Sequence, residues 1–415
     1  MILLNLNRSK DNKWILQKNI SSASLFKAYI KTLDDLGNNA ENGEALKDQL
    51  KSNKGYHGRS LTGSLSTLGV RFSEMCFYMF GYKYNHKFIP SPMTIKMLKN
   101  PEGFNNHKLM LINLFSMQYP HPYSNTTGFN LHFGRLILKL LIEDKIDKRL
   151  YIDEMIWFLP FIHTVSVEGY NELVASIIEY RTKTYSEKLV LFKSVENFEN
   201  LFANVLHEMN YYFARIFTAF GVFNSVVDRN HNDGKLFRFL HSEETYRNNA
   251  IFSRGNFPGY IKLDVTLIDS LQELFKEYSL YDEIIKIDNK TVFTKHELVS
   301  DLYEHLPLKY MAIVFPEDNV TNQYLDTVTN MQYMAKYSSL DGKDFEIALK
   351  DVFGLFEETI TTELISGSGD TDVLCVMENP QKNSIYKFNV EAKSRSSVNN
   401  MNVIRGSLYS KITVV

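Results

Sequence analysis

The run Gly369-Asp370-Thr371-Asp372-Val373-Leu374, followed by Lys387-Phe388-Asn389-Val390-Glu391-Ala392-Lys393, constrains this chain most. It reads as two short strands joined by a polar turn from Glu378 to Ser384. The flanks Val373–Val376 and Ile385–Val390 carry the β-branched and aromatic residues that pack on a pleated surface. Asp372 opens the first strand. Glu391 and Lys393 stand two apart on the second, so they share one face. Two carboxylates and an ammonium at one sheet edge suit a hard divalent cation, which takes oxygen ligands and keeps several waters. Water on such a cation loses a proton more readily and can attack phosphorus. The lysine can orient that water or offset charge that develops on a phosphate. Taken alone, Glu-Ala-Lys is also an ordinary solvated tripeptide.

What precedes it narrows the reading. Phe345–Phe356 has helical character and carries an early acid, Glu346. A Gly-rich turn follows, then the Thr-Asp strand and the Glu-x-Lys strand. In that order, Glu346, Asp372, Glu391 and Lys393 resemble the PD-(D/E)xK nuclease pattern, with Thr371 where Pro is usual. The stretches Phe115–Pro120 and Phe252–Asn256 resemble the type IIS restriction endonucleases of the AlwI-like group. The resemblance implies a Mg²⁺ held by Asp372, Glu391 and the Ala392 carbonyl. It implies that Lys393 positions the water and that Glu346 shapes the site or meets a second metal. It further implies double-stranded DNA as partner, 5′-phosphate products, and a transient dimer or second subunit for cutting both strands. Asp370 lies one alternation from Asp372 and is a candidate for a supporting role or a turn acid. Only 22 residues follow Lys393. Nucleases of this kind continue with a helix and more strands, so the nuclease part is expected to be incomplete at its C-terminus.

The net charge of −2 looks unsuited to a polyanion, but it is unevenly spread. Residues 1–100 hold fifteen Lys and Arg against seven Asp and Glu, an excess of eight, which leaves −10 for the remainder. A basic module joined to an acidic body fits a chain that meets DNA, and a lysine-rich solvated surface fits equally. Cys76 and Cys375 sit in apolar surroundings and read as buried thiols. No His/Cys spacing suggests zinc, and no Gly-rich loop ending in Lys-Ser or Lys-Thr suggests a nucleotide triphosphate. No apolar run approaches the roughly 20 residues that span a bilayer. The chain therefore reads as cytoplasmic, with no membrane partner.

Organisation follows from periodicity. The fold class expected is multidomain α+β, with helical, winged-helix-like reading domains ahead of an α/β nuclease domain. Residues 1–105 read as helices followed by a hairpin flanked by Lys83 and Lys87. Asn100-Pro101-Glu102-Gly103 then marks a boundary. Residues 106–265 read as a second such unit. Its helical face is Phe133, Leu136, Ile137, Leu140 and Leu141, and Asp153 is placed as the cap of a helix over 154–159. A helix over about 201–220 stops at Gly221. A hairpin over 222–240 and a strand at 259–263 follow. Residues 266–332 read as a helical linker module, and 333–415 as the nuclease domain. Arg59, Arg71, Lys83 and Lys87 in the first unit, with Arg247, Arg254 and Lys262 in the second, form the expected phosphate footprint. His207-Glu208-Met209-Asn210 lacks the second histidine of a zinc protease, and His231 with Asp233 fits a plain turn better than a metal site.

Two other functions remain open at this stage. One is a DNA-binding regulator whose acidic cluster is structural. The other is a modification-dependent nuclease of the same superfamily.

Overall fold

The computed structural model describes residues 4–17, 28–29, 31–32, 35, 48–49, 73–84, 87–99, 106–228, 231, 259–287, 299–316, 327, 331, 343–356, 359–364, 373–379 and 384–390. The chain forms two compact units. The first is Met1–Asp35 with Asn42–Val314, and the second is Leu36–Glu41 with Phe315–Val415. The boundaries expected near 105 and 265 both fall inside the first unit.

The first unit is mostly helical. A hairpin of β1 (Gly81–Tyr84) and β2 (Lys87–Pro90) leads into α1 (Pro92–Lys99). The segment 73–77 just before it is helical, which the sequence reading did not place there. Next come α2 (Asn106–Ser116) and α3 (Phe133–Leu140). In α2 every residue from Leu109 to Ser116 is buried, so this helix is enclosed on all sides and shows no apolar stripe. The polar members of that run find partners: Asn113 Nδ2 donates to the Tyr78 carbonyl, and Ser116 Oγ to the Ile112 carbonyl. In α3 the face read from periodicity is buried throughout. Arg135, on the opposite side of the helix, is buried as well. Its Nη1 donates to Asp282 at 2.8 Å and its Nη2 to Tyr310 Oη at 2.7 Å.

A two-residue strand β3 (Leu150–Tyr151) enters α4 (Ile152–Phe158), and α5 (Val167–Thr182) and α6 (Tyr185–Lys193) follow. The expected cap of α4 is corrected here. Asp153 lies within the first helical turn, and it is Glu154 that reaches back to the Tyr151 N–H at 3.0 Å. α7 (Phe198–Leu206) runs through a wider π turn (His207–Ala214) into α8 (Arg215–Ala219). Glu208 in the π turn is buried and receives Lys13 Nζ at 2.7 Å. Gly221, at φ +80, ends the run as expected. β4 (Phe223–Val227) then pairs with β5 (Gly259–Leu263), which lies between β4 and β3 in an antiparallel sheet. The segment 236–240, expected as the partner of 222–227, lies outside the described residues.

The stretch expected as a linker supplies α9 (Ile268–Glu277) and α10 (Leu306–Val314) to this unit. Leu271, Leu274, Tyr303 and Tyr310 are all buried. Gln118 fastens the intervening segment through a paired amide contact with Ile285, donating at 2.7 Å and accepting at 3.1 Å.

In the second unit, α11 (Lys343–Phe353) packs on a three-stranded antiparallel sheet of β6 (Thr359–Leu364), β7 (Val373–Asn379) and β8 (Ser384–Val390), in that order. Phe345 and Ala348 of α11 are buried, as are Val373 and Cys375 of β7. Cys76 and Cys375 are both free buried thiols. The helix and the strand pair appear where the sequence put them, and the residues of the turn at 380–383 lie outside the described residues. β6 was not foreseen, because the Gly-rich character of the following residues hid it.

Candidate functional site

The β7–β8 ladder is regular over its whole described length. Val373 faces Val390, Cys375 faces Phe388, and Asn379 faces Ser384. Each pair of residue numbers has the same sum, as an antiparallel register without a bulge requires. Val373 is the residue after Asp372, and Val390 is the residue before Glu391. Asp370, Thr371, Asp372, Glu391, Ala392 and Lys393 themselves lie outside the described residues. Glu346 is described, half-buried on α11, the helix that packs on β6 and β7. Among the described residues no group of three or more His, Cys, Asp or Glu could hold a metal ion.

The expected phosphate contacts divide similarly. Arg59, Arg71, Arg247 and Arg254 lie outside the described residues. Lys83 sits half-buried on β1, where its main-chain N–H donates to Tyr123 Oη at 2.6 Å. Lys87 is the partner of Tyr84 across the hairpin. Lys262 is exposed on β5 opposite Asn224. Lys83 and Lys87 therefore share one hairpin, while Lys262 belongs to the other sheet.

Beside Lys262 on β5 stands a polar cluster that sequence reading did not find. Tyr151 of β3 and Tyr260 of β5 are cross-strand partners, with ring centroids 5.3 Å apart. The Arg149 guanidinium lies 5.3 Å from the Tyr151 ring and 5.2 Å from the Tyr260 ring. Arg181 lies 5.4 Å from Tyr151 on its own approach. His231 stacks on Tyr151 with centroids 3.8 Å apart. Its Nε2 lies 2.8 Å from Asp153 Oδ1, while Lys188 and Tyr180 donate to Oδ2, each at 3.2 Å. Burial alone would raise the Asp153 pKa. The His231 hydrogen bond and the Lys188 charge outweigh it and bring the group down to about 2. His231, read from sequence as part of a turn, is thus a partner of a buried carboxylate. The only local signal was the crowding of charge in Lys145-Ile146-Asp147-Lys148-Arg149, which gives no hint of the distant Arg181 or His231.

A groove of about 390 Å³ runs between residues 4–12 and 161–173. It is lined by apolar side chains, asparagines, His163 and Thr164, with no acidic or basic side chain besides that histidine. No helix among the described residues is long and apolar enough to cross a membrane.

Comparison with known proteins adds three findings. Residues 9–278 match the family model for the N-terminal domain of the type II restriction endonuclease HgaI. Over 405 residues the chain is 26% identical to the type II restriction enzyme HgaI of Avibacterium volantium, covering 92% of this chain and 78% of that protein. A solved structure of pyrene- and phenanthrene-modified DNA in complex with the BpuJ1 endonuclease binding domain aligns at 14% identity with a TM-score of 0.43, over 74% of this chain and 99% of that one.

Proposed function

The chain belongs to the family of the type II restriction endonuclease HgaI N-terminal domain, and from that premise we propose that it is a Mg²⁺-dependent restriction endonuclease acting on duplex DNA. The first unit would recognise a short sequence, and the second would hydrolyse a phosphodiester. The observation that carries the second half is the unbroken β7–β8 register up to Val373 and Val390. Asp372 is the residue before Val373, Glu391 the residue after Val390, and Lys393 follows two places on. Two carboxylates and a lysine are the residues at those positions.

The donor set fits a hard cation, because the Asp372 and Glu391 carboxylates and the Ala392 carbonyl all offer oxygen. When bound, Mg²⁺ would supply a water of lowered pKa and neutralise charge on the phosphate. Lys393 would hold the attacking water or the phosphoryl oxygen by its ammonium. Glu346, half-buried on α11, would support the acids from the helix side. Helix-plus-hairpin recognition of winged-helix type, 5′-phosphate ends, pairing with a second copy for double-strand cutting, and a cytoplasmic location belong to the same proposal. The PD-(D/E)xK assignment and the type IIS, AlwI-like grouping rest on the sequence segments quoted above.

The test is incubation of the protein with a plasmid library, with Mg²⁺ and with EDTA, followed by sequencing of the ends. Metal-dependent ends at a fixed distance from one short sequence are expected. Asp372→Ala and Lys393→Ala should abolish cutting yet retain duplex binding. Full cutting by either variant would remove the assigned residues. Binding without cutting in any metal would favour the regulator reading, and cutting confined to methylated DNA the modification-dependent one.

A further inference from the structure

The turn before β3 is built at a cost. Asp147 and Lys148 are consecutive residues with positive φ, +56 and +51, and neither is glycine. A side chain makes that conformation unfavourable, and such strain persists where surrounding structure enforces it. Here the enforcement is visible. Arg181 reaches across from α5 and donates to the Ile146 and Arg149 carbonyls, each at 2.8 Å. Glu154, wholly buried, fixes that guanidinium with two bonds of 2.7 and 3.0 Å. The fork-shaped pair leaves Arg181 little freedom. The result is a rigid platform under an exposed turn.

On that platform stand one donor and one acceptor, side by side. Asp147 Oδ2 accepts from Arg149 Nη2 at 3.1 Å and from Arg181 Nη1 at 3.3 Å, and neither arginine engages Oδ1. The Asp147 side chain is 65% exposed and that of Arg149 34%. Arg149 also rests against the two tyrosine rings, which hold its plane. The second ion pair on the turn, Lys148 with Asp144, leaves no net charge on these four side chains. A phosphate contact calls for an excess of positive charge, which this turn lacks. A base-pair edge is neutral and presents donors and acceptors together. Guanine O6 and N7 accept from an arginine, and cytosine N4 donates to a carboxylate.

Resting on the proposed recognition of duplex DNA, we infer that the Asp147–Arg149 turn reads the edge of a base pair. Its partner is a base-pair edge in the major groove of a DNA duplex.

The test uses the full-length protein and selection of bound duplexes from a randomised library, with salt titration on the preferred sequence. Asp147→Asn is the cleaner variant, because asparagine tolerates positive φ while exchanging an acceptor for a donor. Arg149→Gln is the second, and thermal unfolding checks that both remain folded. The expected result is a loss of preference of roughly tenfold or more at one base-pair position, with an unchanged salt slope. A uniform loss over all sequences, with the salt slope reduced by about one, would make this a phosphate contact and overturn the inference. An unchanged preference in both variants would overturn it too. If the unaltered protein binds DNA with no sequence preference, the recognition reading fails first, and the inference falls with it. Should Arg149→Gln fail to fold, Asp147→Asn decides alone.

Discussion

Asp153 has no exposed surface, yet it keeps its charge because His231, Lys188 and Tyr180 all point at it. Its folded pKa, about 2, lies below the ordinary carboxylate value. The linked stability is therefore present above about pH 4 and is lost as pH falls through about 2. Removing the charge should be worse than titrating it, since Lys188 would remain buried without a counter-ion. Asp153→Asn is expected to cost about 3 kcal/mol in urea unfolding, and a loss below about 1 kcal/mol would show that the cluster is not a buried ion pair in solution. A different pH window belongs to His121 and His132. Burial holds both down to about 3, helped at His132 by the Arg135 charge. A histidine that is neutral in the fold but titrates near 6.5 when unfolded stabilises fully above pH 6.5, and loses that contribution as pH falls. Unfolding free energy at pH 5 should be lower than at pH 7 by about 2 kcal/mol for each histidine, and His121→Gln should remove about half of the difference. Equal stability at the two pH values would contradict this burial. None of these roles was legible in the sequence. Asp153 looked like a cap because a short acid ahead of an apolar run is a good local signal, whereas its partners lie 27, 35 and 78 residues away.

At the scale of elements, legibility followed locality. The apolar stripe of α3 and the strands β7 and β8 declare themselves within a few residues, and they form where expected. The central helix α2 does not, since a helix covered on every side has no contrast between its faces. Nor does the central place of β5, whose neighbours β3 and β4 come from distant parts of the chain. The packing of α2 on α3 depends on one small residue. At Gly134 a Cβ would run into the Leu114 carbonyl oxygen, so the helices meet backbone to backbone there. Alanine at this site favours helix but forces the pair apart. Gly134→Ala should destabilise by about 3 kcal/mol, read as a clear fall in thermal midpoint. A neutral or stabilising effect would mean that the two helices sit further apart than described.

At the scale of the molecule, Pro and Gly punctuation and long-range packing divide the chain differently. Asn100-Pro101-Glu102-Gly103 marks a break between helices, but the first compact unit continues through it to Val314. Turn residues report a change of direction, and only long-range burial reports a domain. The helices expected as a linker close this unit. Tyr303 Oη donates to the Cys76 carbonyl, and Tyr82 Oη donates to Glu304 at 2.6 Å. Phe115 meets both Phe275 and Tyr310 edge-on, and buried Arg135 needs Asp282 and Tyr310. A fragment ending at 265 would lose all these partners and uncover Arg135 together with the apolar side chains, such as Phe115, that they cover. A fragment of residues 1–314 would keep them. The longer fragment should unfold cooperatively and bind duplex DNA without metal, with affinity falling as salt rises. The shorter one should aggregate or lack a cooperative transition. Calorimetry with light scattering, followed by fluorescence anisotropy on a labelled duplex in EDTA, reads both outcomes. Cooperative folding of 1–265 would return the domain boundary to the place that sequence punctuation suggested. A folded 1–314 fragment without affinity for DNA would move recognition out of this unit.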